Sequence, residues 1–403
     1  MHPSLPEIHI PSGLPRPDAT ALAHGRKVQD HLVRAIGAAG GILPFQQWMQ
    51  AALYAPALGY YSAGSTKLDA AGDFTTAPET TPLFGQTLAR QVAEVLRVSG
   101  CAQVLEFGAG SGSLANSLLA ALHALGITAQ YHILEVSADL RARQQARLAA
   151  WGAQVRWLDM PPQGFCGCVL ANEVLDAMPV ILFRFDASGQ AHELGVALAP
   201  DPSDPPQDGA MPFRWASHPL AAEAARLVAD RLPAWPGYQS ELNLRAEAWV
   251  RDMGRWLHKG VALLIDYGFP RAEYYHPQRH QGTLMCHFRH HAHDQPLILP
   301  GLQDITAHVD FTAMADAALD GGLDVLGYTS QARFLLNLGL TDLLPAAGPQ
   351  AAPDAAARAR QLAALNTLLS EAEMGELFKV LAIGRGVAPP LAGFVRGDRR
   401  DRL

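Results

Sequence analysis

The stretch Val104–Gly112, reading V-L-E-F-G-A-G-S-G, constrains this chain more than any other. A short apolar run enters a glycine-rich turn, and from Ser113 to Leu119 the apolar spacing becomes helical. Strand, glycine turn and helix in that order form the nucleotide-cofactor cradle of doubly wound α/β sheets. Glycine lets the backbone bend sharply and lets a ligand approach without a Cβ in the way. The helix N-terminus then offers free N–H groups.

A dinucleotide fingerprint is spaced G-x-G-x-x-G. Here the glycines fall at Gly108, Gly110 and Gly112, with Ala109 between the first two and Glu106 two residues ahead. E-x-G-x-G-x-G resembles motif I of class I S-adenosylmethionine (SAM) methyltransferases. The ligand this implies carries a sulfonium and an amino acid, which suits a neighbouring acid; a diphosphate would be repelled. After a helix over about Leu114–Leu125, the run Tyr131-His132-Ile133-Leu134 ends in Glu135. An acid at the tip of the second strand accepts hydrogen bonds from ribose hydroxyls, and Glu135 arrives at the distance that pattern requires. The plain alternative is a solvated glutamate at a strand end.

With 403 residues, 49% of them hydrophobic, the chain is long enough for one large α/β domain with insertions or for two domains. A formal net charge of -7 argues against a nucleic-acid surface. No apolar run is long enough to predict a transmembrane helix. The N-terminus has neither a signal-peptide nor a transit-peptide layout, which points to a cytoplasmic protein. The four cysteines, Cys101, Cys166, Cys168 and Cys286, are read as free thiols in a reducing setting. Four lysines among many arginines fit the coding bias of a GC-rich bacterium.

Along the chain, residues 1–25 are proline-rich and expected to form a flexible arm. Helical patterns cover about Arg26–Gly37, Pro44–Leu53 and Pro82–Val98. Further strands are expected near Val155–Leu158, Cys168–Ala171 and Val261–Ile265, and Phe378–Ile383 closes the sheet. Ile181–Phe185 and His192–Ala197 read as a hairpin around Asp186-Ala187-Ser188-Gly189. The His-rich segment 268–303 reads as a long loop.

A wider set of motifs then carries a resemblance. Gly59-Tyr60-Tyr61, G-D-F-T-T-A-P-E over 72–79, the E-x-G-x-G-x-G loop, Asn172-Glu173-Val174-Leu175-Asp176-Ala177, C-H-F-R-H-H-A-H over 286–293 and D-I-T-A-H-V-D-F over 304–311 together resemble the MidA family. The similarity runs from about residue 26 to residue 386. It implies a Rossmann-like class I SAM methyltransferase fold, with a seven-stranded, mostly parallel sheet and helices on both faces. The implied divisions are an arm (1–25), a helical segment and cofactor lid (26–99), a methyltransferase domain (100–386) with insertions at about 180–245 and 268–305, and a tail (387–403). By analogy with mitochondrial members that act as complex I assembly factors, it implies symmetric dimethylation of a protein arginine, with a complex I subunit as one acceptor. Oligomerisation is compatible with this reading.

Arginine stays protonated in proteins. Methylating it therefore calls for carboxylates that grip two N–H edges and draw positive charge off the attacking nitrogen. Glu173 follows the fourth strand, where reactive groups of open α/β sheets lie. Asn172 beside it is placed for the methionine portion of the cofactor, and Asp176 one helical turn on. The alternative is a glutamate that opens a helix and complements its dipole. Glu241 is a second candidate, with helix capping as its competing role. Asp73, Thr75 and Glu79 are read as cofactor-binding residues of a lid. His308 has the position and type of a histidine that would hold the acceptor or take its proton late. His287, His290, His291 and His293 are read as loop histidines and no metal is expected.

Three functions fit these residues. The first is a SAM-dependent protein arginine methyltransferase. The second is a methyltransferase acting on a small molecule or another side chain. The third is a SAM-binding assembly protein without catalysis, which the intact acids and glycines argue against.

Overall fold

The structure, a computed structural model, describes residues 10–63, 76–199, 212–343 and 355–403. These residues divide into two compact units. One gathers 76–176, 246–271 and 309–403; the other gathers 10–63, 177–245 and 272–308.

The first unit is built on seven strands: β1 (Gln103–Phe107), β2 (Gln130–Leu134), β3 (Val155–Leu158), β4 (Phe165–Asn172), β5 (Leu257–Phe269), β6 (Asp324–Ser330) and β7 (Phe378–Arg385). Their order across the sheet is β3-β2-β1-β4-β5-β7-β6. Strands β1 to β5 pair in parallel, and β7 runs antiparallel to both of its neighbours. A two-residue strand, Val309–Asp310, pairs with the end of β5. The chain steps outward from β1 through β2 to β3, then returns to the other side of β1 as β4. Open α/β sheets bind ligands at the carboxyl ends of the strands flanking such a reversal. The expected sheet is present, and its strands are buried apolar runs as parallel pairing between helical layers demands.

Helix Pro82–Ser99 delivers the chain to β1. It starts where the Thr81 hydroxyl accepts from Leu83 N, and it stops at Gly100 in the left-handed region. Its Leu88, Val92 and Val95 join Leu118, Tyr131 and Leu263 in one core. The expected lid segment 26–99 is thus divided, because this apolar helix packs with the sheet unit. At the far edge, residues 397–400 lie along β6: Arg399 N donates to Tyr328 O (2.6 Å) and Tyr328 N donates to Asp398 Oδ1 (3.2 Å).

The second unit carries the helices Ala19–Ala38 and Phe45–Tyr54 against a five-stranded antiparallel sheet. The expected hairpin pairs Ile181–Phe185 with Ala191–Leu198, and Asp186 captures the amides of Ser188 and Gln190 in the turn. Trp48, Phe45, Leu182, Val196 and Phe213 share a core.

Four expectations are corrected. The first helix begins at Ala19, inside the expected arm, because Asp18 caps it by accepting from Ala21 N (2.9 Å) and Gly25 is buried within it. The His-rich segment is not all loop: Met285–Phe288 pairs antiparallel with His291–His293 and with Asp304–Thr306. Cys101 and Cys166 are disulfide-bonded, with Cα atoms 5.8 Å apart, since pairing of β1 with β4 brings their approaches together. Cys168 and Cys286 are buried free thiols. No helix follows Glu173; residues 173–176 form a turn. Among the described residues no helix is long and apolar enough to cross a membrane.

Candidate functional site

The turn after β1 is held open by its backbone. Gly108, Gly110 and Gly112 have φ of 62°, 54° and 83°, in the left-handed region where a side chain is strained. At Gly108 a Cβ would also meet Val174 Cγ2 at 3.3 Å. Gly108 N donates to Leu134 O (2.9 Å), which pins the turn to the end of β2. Gly112 caps helix Ser113–Ala124 without a side-chain acceptor.

Glu135 lies at the tip of β2 and is partly buried. One oxygen accepts from Ser137 N (2.9 Å) and the other from Gln144 Nε2 (2.9 Å), leaving lone pairs for ribose hydroxyls. Burial pushes its carboxyl above the usual range, against the pull of those donors. Gln144 Nε2 also reaches Gly110 O (2.9 Å), and its Oε1 accepts from Trp157 Nε1 (3.0 Å). Gln144 is fully buried, and sequence reading missed it; a glutamine in a polar helix gives no signal of such a role.

Glu106 is 3% exposed and accepts from the Tyr131 hydroxyl (2.8 Å). Burial pushes its carboxyl up to about 8; the Tyr131 hydrogen bond opposes this and repulsion from Glu135 adds to it. It is therefore a neutral acid under the turn in the ligand-free protein at pH 7. Glu79 accepts from the Ser111 and Ser113 hydroxyls of the loop, and Arg147 lies 4.0 Å away. Asp73 and Thr75 lie outside the described residues.

Two exposed apolar side chains flank the cradle: Val136 (83% exposed) after β2 and Met160 (77% exposed) after β3. The last residues of these strands, Leu134 and Leu158, are register partners, so the two apolar groups leave adjacent strand ends. An adenine ring would cover such a pair. Neither residue was singled out from sequence.

At the end of β4, Asn172 Nδ2 donates to Glu173 Oε1 (2.9 Å), which fixes the amide's orientation. Its Oδ1 is buried without a hydrogen-bond partner among the described residues, an acceptor suited to an ammonium group. Glu173 has φ of 54°, a conformation that costs a non-glycine residue about 1–3 kcal/mol and is concentrated at functional sites. Its N–H donates to Ile265 O (2.9 Å) at the end of β5. Asp266 Oδ2 accepts from Leu175 N (3.0 Å) and Asp176 N (3.3 Å). Those amides are thus captured by a side chain, which is why a turn replaces the expected helix. Asp176 accepts from the Tyr267 hydroxyl. Burial, then repulsion from Asp176 and Glu173, pushes the Asp266 carboxyl well up. Two strand ends thus present three carboxyl groups.

The other two candidates belong to the second unit. Glu241 lies within strand Gln239–Leu242 and is 1% exposed, so it caps no helix. It accepts from Thr283 N (2.8 Å), Thr283 Oγ1 (3.0 Å), Leu284 N (3.3 Å) and the Tyr274 hydroxyl (3.1 Å). Burial pushes its carboxyl up despite these donors. His308 N donates to the same Thr283 hydroxyl (3.0 Å), so Thr283 links the two candidates. Among the described residues no group of three or more His, Cys, Asp or Glu is arranged to hold a metal ion.

The glycine turn, the free lone pairs of Glu135 and the open acceptor of Asn172 suit SAM. Comparison with known proteins agrees. A family model described as putative S-adenosyl-L-methionine-dependent methyltransferase matches residues 87–329. A crystal structure of a Burkholderia thailandensis protein bound to S-adenosyl-homocysteine is 49% identical, covers 97% of this chain and 100% of its own, and superposes with a TM-score of 0.89. The mitochondrial protein arginine methyltransferase NDUFAF7 of Danio rerio is 28% identical over 394 residues, 89% of this chain and 87% of its own length. The human protein of that name is 28% identical over 393 residues, 88% of this chain and 82% of its own length.

Proposed function

Since the chain belongs to the MidA family of SAM-dependent methyltransferases, we propose that its acceptor is an arginine of a protein, carried to the symmetric dimethyl product. The observation that carries this reading is the group of carboxyls, Glu173, Asp176 and Asp266, at the adjoining ends of β4 and β5 beside the glycine turn. A small neutral acceptor would need no such cluster. The names of the animal relatives support the same acceptor. The resemblance adds a candidate protein, a subunit of respiratory complex I.

The bound cofactor supplies a methyl group on a sulfonium, which leaves as a neutral thioether. Gln144 and the Gly108–Gly112 turn hold the crevice in shape, and Glu135 and Asn172 offer acceptors to the cofactor's hydroxyl and ammonium groups. Glu173, in its strained conformation, grips the N–H edges of the guanidinium and orients one nitrogen for in-line attack. As the C–N bond forms and the C–S bond breaks, the attacking nitrogen becomes more acidic, and a carboxylate of the cluster takes its proton. Within the second unit, the Thr283 hydroxyl donates to Glu241 and accepts from the His308 backbone N–H.

The test uses the purified protein, methyl-labelled SAM and extract from cells lacking the gene. Label is expected in symmetric dimethylarginine, identified by mass spectrometry. Glu173→Gln should lower transfer on the order of 10²-fold while S-adenosyl-homocysteine still binds. Label confined to another residue or to a small molecule would overturn the arginine reading.

A further inference from the structure

We propose that Tyr267 is a positioning residue for methyl transfer: by holding Asp176 from the end of β5, its hydroxyl fixes the turn that carries Glu173. Three consecutive β5 residues engage this turn. Ile265 O accepts from Glu173 N (2.9 Å), Asp266 Oδ2 accepts from Leu175 N (3.0 Å) and Asp176 N (3.3 Å), and the Tyr267 hydroxyl donates to Asp176 Oδ2. The first two contacts end on backbone amides. They fix the path of the chain but not the direction of any acidic side chain. The Tyr267 contact is the one of these three that ends on a carboxylate.

The tyrosine is itself well held. Its ring meets Phe378 of β7 edge-on, with centroids 5.3 Å apart and planes at 73°. Its backbone N–H donates to Asp266 Oδ1 (2.9 Å). A phenol anchored by its ring and by its amide presents its hydroxyl from a fixed point. That is the second layer of support an active-site carboxylate requires.

The conformation of Glu173 makes such support necessary. A non-glycine residue at φ of 54° relaxes unless its surroundings over-determine it. Asp176 is 5% exposed, and the Tyr267 hydroxyl ties its carboxylate to the end of β5. Burial, then the neighbouring Asp176 and Glu173 carboxylates, pushes the Asp266 carboxyl well up, while its Oδ2 braces the turn through two backbone amides.

This inference rests on the reading of Glu173 as the group that faces the acceptor. The test follows label transfer from SAM to unfractionated extract of cells lacking the gene, with wild type, Tyr267→Phe, Asp176→Asn and the double variant. S-adenosyl-homocysteine affinity is measured alongside as the check on folding. Tyr267→Phe keeps the ring against Phe378; its affinity should stay within about twofold of wild type while turnover falls about tenfold or more. The double variant should lose no more than Asp176→Asn alone, since both changes break one contact. Wild-type turnover in Tyr267→Phe, or losses that multiply in the double variant, would overturn the proposal. Label on a residue other than arginine, with the coupling intact, removes the arginine reading and leaves Tyr267 in its role. Label on arginine with an unimpaired Tyr267→Phe does the reverse.

Discussion

Gln144 holds Glu135 in place: its Nε2 lies 2.9 Å from Glu135 Oε2 and 2.9 Å from the Gly110 carbonyl, so one buried amide ties the second-strand acid to the glycine turn. Trp157 locks that amide from the other side. Gln144→Ala removes both contacts and leaves the partly buried indole donor of Trp157 without its acceptor. Losses of this kind cost about 1–3 kcal/mol. Isothermal titration should show S-adenosyl-homocysteine affinity weakened by roughly 5- to 150-fold in a folded protein.

Gly110 has φ of 54°, which a β-branched side chain tolerates poorly. Gly110→Val is expected to cost about 1–2 kcal/mol in backbone strain and to close the cradle with its methyl groups. Titration with S-adenosyl-homocysteine should give no measurable heat while circular dichroism remains that of the wild type.

Glu106 makes stability depend on pH. Its carboxyl titrates near 4.5 when unfolded and is pushed up to about 8 when folded. Below the lower value both states are protonated and nothing is lost. As pH rises, the unfolded chain ionises first, so stability falls until the folded carboxyl has also titrated. Glu106→Gln removes this dependence. At about 1.4 kcal/mol per pKa unit, the variant should gain roughly 3–5 kcal/mol over wild type at pH 9 and almost nothing at pH 4. Denaturant midpoints across that range, without cofactor, check the sign.

The Cys101–Cys166 bridge spans 65 residues, and closing a loop of that size restricts the unfolded chain by roughly 4 kcal/mol in the chain-entropy account. Cys101→Ser should lower the thermal midpoint of the oxidised protein. Dithiothreitol should lower the wild-type midpoint towards that of the variant and leave the variant unchanged.

How legible all this was in the sequence depended on distance along the chain. The glycine spacing and Glu135 could be read because strand, turn and helix are local patterns, and the order of apolar runs carried the parallel sheet. Gln144 could not, since its three partners come from a turn, a strand tip and β3. The turn after Glu173 was read as a helix because its competitor for the amides, Asp266, stands on another strand. The cysteine pairing was hidden for the same reason: the spacing of Cys101 and Cys166 says nothing about which strands adjoin. In the His-rich segment, strands of three or four residues are too short to show an alternation.

The place of β7 has a consequence for synthesis. It is the last of the seven strands to be made, yet it lies between β5 and β6. While the ribosome works from residue 270 to residue 377, the outer edge of β5 waits without the partner it will keep, an open row of amides and carbonyls on an apolar strand. A nascent chain in this state is ready to pair with the wrong neighbour, and shielding by a chaperone matters most during that interval.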